Sequence, residues 1–201
     1  VLGGGPQIHP YDDQPSRLLI GPDCVIRENA TLHRGSSRGN LETVVGEACF
    51  IMDSAHVGHD CELEKGVVLA RGATLGGHSW VGEGVYIGGL AAVHQWTRIG
   101  RKAFIGGLTP LTRDVVPYAM VNGNPCHMEG LNYRGFRREG ADRHHLRALR
   151  AAYALAFGDS AGSLSERLKS TSARYGHIPE IRDILSFAEA PSKRGLCLPA
   201  L

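Results

Sequence analysis

No apolar run in the sequence approaches the roughly 18 residues that a bilayer-spanning helix needs, so no membrane insertion is expected. There is no CxxC pair either. The five cysteines are odd in number and scattered, which argues against a disulfide framework or a zinc knuckle and fits a reducing, cytoplasmic setting. The chain begins at Val1 without a methionine, so the lack of a targeting segment excludes nothing. Aromatic residues make up only 6%. No strand-then-helix frame surrounds the Gly3–Gly5 triplet, which removes a dinucleotide loop from consideration. The net charge of +2 carries no excess that would suggest a nucleic acid as partner.

What is present is glycine, 27 of 201 residues, in a chain that is 42% hydrophobic and 21% charged. That length allows one sizeable core or two small domains. Many glycines without low complexity suggest a fold built from tight turns. The charge is unevenly spread. Residues 1–131 hold 10 Lys+Arg against 13 Asp+Glu, and residues 132–201 hold 12 against 7. The second part suits an acidic partner, although an ordinary solvated helical surface would look the same.

The strongest signal is a repeat of six. From Val45 an aliphatic residue returns at Ile51, Val57, Leu63, Leu69, Leu75, Val81, Ile87, Val93, Ile99, Ile105 and Leu111. Four residues after each stands a small or β-branched residue, from Cys49 to Val115, and glycine often follows the aliphatic one directly. Period six is neither helical nor a simple alternation. It predicts a β-solenoid in which each aliphatic side chain points inward onto its equivalent in the next coil, with glycine supplying turn conformations. The same phase appears at Ile20, Ile26 and Leu32, and residues 34–42 are expected to form a loop thrown out of the solenoid. Cys24, Cys49 and Cys61 fall on the inward small position and are read as core filler.

After Pro117 and Pro125 the hexad stops. A helix is expected from Ala141, with Leu146, Leu149, Tyr153 and Phe157 on one face and Gly158 as its cap. A second should cover Leu164–Ala173. A third should start near Pro179, with Ile181, Ile184, Leu185 and Ala188 on one side. The predicted division is a solenoid over 1–126 and a helical domain over 127–201.

Histidines 33, 56, 59, 78 and 94 lie in the repeat region, none on an inward aliphatic position. With three hexads to a coil they would form a loose outward column. In "SAHVGHDC" (54–61) three readings compete: a zinc site, a catalytic base and polar surface. Zinc needs three converging neutral imidazoles. Spacing of three in extended chain directs His56 and His59 toward opposite faces. Acid–base work would use His59, with Asp60 holding the imidazole or stabilising its charged form.

"TLHRG" (31–35), "AHVGHDC" (55–61), "ATLGGH" (73–78), "AVHQW" (92–96) and "IGG" (105–107) occur in that order inside hexads, with "YRGF" and "KRGL" in the helical end. In these words the chain closely resembles the UDP-N-acetylglucosamine acyltransferases, from about Gly3 to Leu196. The resemblance implies a left-handed parallel β-helix, three hexads to the coil, followed by a small α-helical domain. It also implies a cytoplasmic homotrimer with sites between neighbouring solenoids and no cofactor or metal. The implied reaction passes a 3-hydroxyacyl chain from acyl carrier protein to the sugar 3-hydroxyl of UDP-N-acetylglucosamine, the first step of lipid A synthesis. His59 matches the general base, Asp60 its partner, and the Gly77 N–H the oxyanion donor. His56, His78, His94 and Gln95 match substrate-positioning residues, and His33 a nucleotide-site residue. Gly107 matches the position limiting acyl length, where glycine implies a longer chain. Glu129 and Arg134 align with the nucleotide-contact region, and Gln7 opens a segment that touches the sugar nucleotide. The family carries hexads before "GGGPQ", and it has an acid and a lysine where Ile8 and Pro10 stand. Two rivals follow: a zinc-dependent hydratase on the same solenoid, and a non-catalytic truncated paralogue.

Overall fold

A computed structural model describes residues 1–200 except 12, 139, 141, 159 and 160. Short parallel strands, most of two residues, form three sheets that wind as a left-handed parallel β-helix. Every third strand joins the same sheet, so the solenoid is a three-sided prism. The first sheet holds Leu2–Gly4, Thr31–His33, His56–Val57, Thr74–Leu75, Ala92–Val93 and Pro110–Leu111. Thr74 pairs with His56 on one side and Ala92 on the other, each eighteen residues away. Thr31 pairs with His56 across a longer interval, and the extra residues leave as a loop. That loop ends earlier than expected. Glu42 already belongs to the strand Glu42–Val45, which pairs with Arg17–Ile20.

All twelve repeat aliphatics from Val45 to Leu111 are at most 4% exposed, and the small residues from Cys49 to Val115 are equally enclosed. Each buried Val, Leu or Ile contributes about 1.5–3 kcal/mol of transfer free energy, so this ladder is the main source of stability. Burial pushes the Cys49 thiol up to about 11 and Cys61 up to about 12, consistent with inert core positions. Ile20 and Ile26 share the phase but are less enclosed. Among the described residues, the strand Leu2–Gly4 is all that precedes them in the solenoid.

The glycine expectation needs correction. Left-handed backbone recurs every six residues from Ala48 to Leu108, with φ between 54° and 68°, but only Gly66, Gly72 and Gly84 of these positions are glycine. Asp60, His78, Leu90, Trp96 and Lys102 hold the same conformation, at about 1–2 kcal/mol each. Corner hydrogen bonds offset that strain: the N–H groups of His78 and Trp96 donate to the carbonyls of His59 and Gly77 in the coil before. The glycine directly after the aliphatic residue answers to close approach instead. A Cβ on Gly82 would stand 2.6 Å from the Arg101 backbone nitrogen.

The expected boundary after residue 126 falls inside an antiparallel hairpin, Ala119–Asn122 with His127–Leu131, that ends the third sheet. Helices begin at Tyr133. They are α1 (Tyr133–Arg138), α2 (Arg143–Phe157), α3 (Leu164–Tyr175) and α4 (Pro179–Glu189). The short α1 has no counterpart in the sequence reading, and the expected start at Ala141 lies outside the described residues. Asp142 caps α2, and a Ser163–Glu166 capping box opens α3. Leu149, Tyr153 and Phe157 are buried along one face of α2. After α4 the chain turns back to the solenoid, where the carbonyl of Gly195 accepts from the Asp114 N–H and the Cys197 N–H donates to the Asp114 carbonyl.

Candidate active site

The eighteen-residue register sets the site. Position 59 lies level with 77 and 95, and position 60 with 78 and 96, along the corner between the first and second sheets. His59 follows the end of the strand His56–Val57 and is 8% exposed. Its Nδ1–H donates to Asp60 Oδ2 at 2.7 Å, which leaves Nε2 as an acceptor. A Cβ on Gly77 would stand 2.6 Å from that Nε2, so only glycine leaves the bare nitrogen open. Among the described residues the Gly77 N–H has no acceptor.

Asp60 is fixed by side chains from the preceding stretch of chain. Ser36 donates to it twice, from its backbone N–H at 2.9 Å and from its hydroxyl at 2.5 Å. The Asp60 N–H donates to Thr43 Oγ1 at 2.8 Å. The loop after His33 therefore folds over the carboxylate. A Cβ on Gly39 would overlap Asp60, so the loop closes tightly there. Nothing in the sequence marked Ser36 or Thr43 for this task.

His78 meets His59 edge-on, ring centroids 4.9 Å apart, and its Nδ1 is 3.8 Å from Asp60 Oδ2. Burial lowers its pKa from the ordinary 6.5. The Asp60 carboxylate opposes that shift, while His59 and Lys193 add to it. Trp96 stacks on His78 at 3.8 Å, nearly parallel. His56 is hydrogen-bonded to Thr31 at 2.8 Å, and its pKa is lowered by burial, then by His33 and His59. His33 donates from Nδ1 to the Gly5 carbonyl and lies beside His56, centroids 5.2 Å apart.

A cavity of about 430 Å³ is lined by Gln7, His56, Gly58, His59, Gly76, Gly77, Val93, His94 and Gln95. Six of the expected residues thus converge on one space, and His78 and Asp60 stand behind it. His56 and His59 share this wall rather than opposing each other, because the strand stops at Val57 and the chain turns at His59 and Asp60. Gly107, Glu129 and Arg134 do not line this cavity. Gly107 lies on another corner, where its missing Cβ would meet the Gly89 carbonyl at 3.1 Å, and Glu129 and Arg134 are exposed on the hairpin and α1. Ile8 and Pro10 stand beside Gln7, and the His9 carbonyl between them accepts from Arg38.

His59, Asp60 and His78 also bring three ligand-type atoms within 4.8 Å of one another. Two ligands on one tetrahedral zinc, each about 2.0–2.1 Å from the metal, stand about 3.3 Å apart. The 2.7 Å between His59 Nδ1 and Asp60 Oδ2 is instead a hydrogen bond. Both Asp60 oxygens are already engaged by Ser36.

Residues 114–197 match the family model described as UDP-N-acetylglucosamine O-acyltransferase, domain 2, and residues 42–77 match that of bacterial transferase hexapeptide repeats. The acyl-[acyl-carrier-protein]--UDP-N-acetylglucosamine O-acyltransferase of Agrobacterium fabrum is 38% identical over 200 residues, covering 99% of this chain and 73% of its own. The enzyme of that name from Caulobacter vibrioides is 46% identical over 198 residues, 98% of this chain and 75% of its own. The crystal structure of UDP-N-acetylglucosamine O-acyltransferase from Moraxella catarrhalis superposes with a TM-score of 0.91 at 34% identity, over 97% of this chain and 75% of that one. Together with the hexad prism and the corner that carries His59, these likenesses place the chain in the family of UDP-N-acetylglucosamine O-acyltransferases.

Proposed function

We propose that the chain transfers an (R)-3-hydroxyacyl group from acyl carrier protein to the 3-hydroxyl of UDP-N-acetylglucosamine, the first step of lipid A synthesis. The single observation that carries the mechanism is the bare His59 Nε2, held by the Nδ1–H to Asp60 bond and facing Gly77. Nε2 takes the proton of the sugar hydroxyl as its oxygen attacks the thioester carbonyl carbon. The tetrahedral oxyanion is met by the Gly77 N–H. Collapse breaks the carbon–sulfur bond, and the imidazolium returns its proton to the departing pantetheine sulfur. The products are the 3-O-acylated sugar nucleotide and the free carrier thiol. Asp60 stabilises the imidazolium without itself taking the proton.

Gln7, His56, His94 and Gln95 bind the acceptor in the cavity, with His33 beside its nucleotide end and Gly107 leaving an open groove for the acyl chain. Glu129 and Arg134 sit away from the cavity of their own chain and serve a neighbouring one, which suits a homotrimer working in the cytoplasm. Apolar exposure supports such an assembly. The outer face of the third sheet stacks Phe50, Val68, Tyr86 and Phe104 in register, and Leu90 and Leu108 on the adjoining corner are 63% and 72% exposed. No helix among the described residues is long and apolar enough to cross a membrane.

Incubation with hydroxyacyl carrier protein and UDP-N-acetylglucosamine tests the reading. Formation of the acylated sugar nucleotide is expected. No product, or activity that tracks stoichiometric zinc, would overturn it.

A further inference from the structure

The segment after α4 is folded onto the active-site corner from a hundred residues away. Ser192 accepts from the N–H groups of Arg194 and Gly195, making a tight turn. Asp114 then grips the segment by two backbone bonds, and the Met128 N–H donates to the Leu198 carbonyl. Asp114 is fully buried, and its carboxylate accepts from the Arg98 backbone N–H at 2.8 Å and Nε–H at 2.7 Å. The segment is therefore a pinned strap.

Its two cations point at the site. The Arg194 Nε–H donates to the Gln95 carbonyl at 2.8 Å, and its Nη2 contacts both ring nitrogens of His94, 3.1 Å from Nε2. His94 and Gln95 line the cavity. The Lys193 ammonium lies 3.2 Å from the centre of the Trp96 ring, the far face of which stacks on His78. His78 in turn abuts His59 and Asp60. A continuous line of contacts thus runs from each strap cation to a wall of the cavity.

We propose that the strap Ser192–Cys197 is part of the active site, with Arg194 and Lys193 as positioning residues. Arg194 fixes His94 and Gln95 for the acceptor sugar nucleotide, and Lys193 fixes Trp96 and His78 behind the catalytic pair. The inference rests on the proposed acyl transfer. A planar guanidinium is needed at 194, because one group must donate to the Gln95 carbonyl from Nε and reach the His94 ring nitrogens from Nη2 together. Lysine cannot do both. Lys193 needs only its charge over the Trp96 face.

Steady-state kinetics of the assembled enzyme, with each substrate varied in turn, tests this. Arg194→Ala is expected to raise KM for UDP-N-acetylglucosamine about tenfold while kcat stays within about threefold, with Arg194→Lys restoring little. Because Arg194 acts partly through His94 and partly through Gln95, the combined loss in H94A/R194A should be smaller than the product of the two single losses. Lys193→Met should lower kcat about three- to tenfold, and Lys193→Arg should restore it. A merely structural strap would instead lower melting temperature, and its loss would multiply with that of H94A. That result, or Arg194→Ala kinetics within about twofold of wild type, would overturn the role of Arg194; a kcat unchanged in Lys193→Met would overturn that of Lys193. His59→Ala separates the two readings. If it is inactive while the strap variants are normal, only the strap fails; if it turns over normally, the acyl-transfer mechanism itself fails.

Discussion

The interior of the prism and its corner share one eighteen-residue register but obey different rules. Inside, every coil presents the same kind of side chain to its neighbours: Val57, Leu75 and Val93 stack without exception. At the corner the equivalent positions are Asp60, His78 and Trp96, three unrelated residues in one left-handed backbone conformation. The interior is constrained by packing density, which tolerates few shapes. The corner is constrained only by its φ and its hydrogen bond to the coil below, so its side chains are free to differ. Repetition fixes the addresses, and chemistry occupies the ones that packing leaves unclaimed.

Four tests break or sharpen that contrast. His59→Ala should have the largest effect, lowering kcat by about 10²–10⁴ with assembly unchanged, since a corner residue carries chemistry and no core; kinetics beside size-exclusion chromatography would check it. Leu75→Ala, in the coil beside it, should do the reverse. It should lose about 2–5 kcal/mol in denaturant unfolding through a cavity in the ladder. Between two glycines, Gly82→Ala should destabilise more than Gly66→Ala. A Cβ at Gly82 meets backbone at 2.6 Å, while at Gly66 it meets nothing within 4 Å and adds only the φ strain of about 1–2 kcal/mol.

The smallest effect is on pH. His56 and His78 have pKa values lowered below the ordinary 6.5, chiefly by burial. The unfolded chain binds their protons first, so stability holds above about pH 6.5 and is lost as pH falls through the lowered folded values. His56→Gln should flatten that acid slope in urea titrations between pH 7 and 5, and an unchanged slope would remove His56 from the account.

The twelve ladder residues and the helix faces are legible because each obeys a period; spacing gives only a loose column of His59, His78 and His94, and the rest of the histidine wall is legible through the resemblance. What was not legible depends on chain that returns from elsewhere. Ser36 sits in the one interval where the hexad is interrupted, so no register predicts its grip on Asp60. Arg194 reaches His94 across a hundred residues, and only the familiar "KRGL" marked that stretch at all. The role of glycine was misassigned for a related reason. Composition reveals that glycine is frequent but not whether φ or a neighbouring coil demands it, and close approach of coils is a property of the stack. His56 and His59 looked opposed because alternation was extended past the end of a two-residue strand.

The central claim is that the adjacent Asp60, held by Ser36, and Gly77, brought by the register, meet opposite edges of one imidazole, leaving its Nε2 bare. Long-range proton–nitrogen correlation spectra of the enzyme at pH 8, with the His59 signals identified by their loss in His59→Gln, measure this directly. The account predicts the Nδ1–H form with an unprotonated Nε2; a proton resident on Nε2 would contradict it.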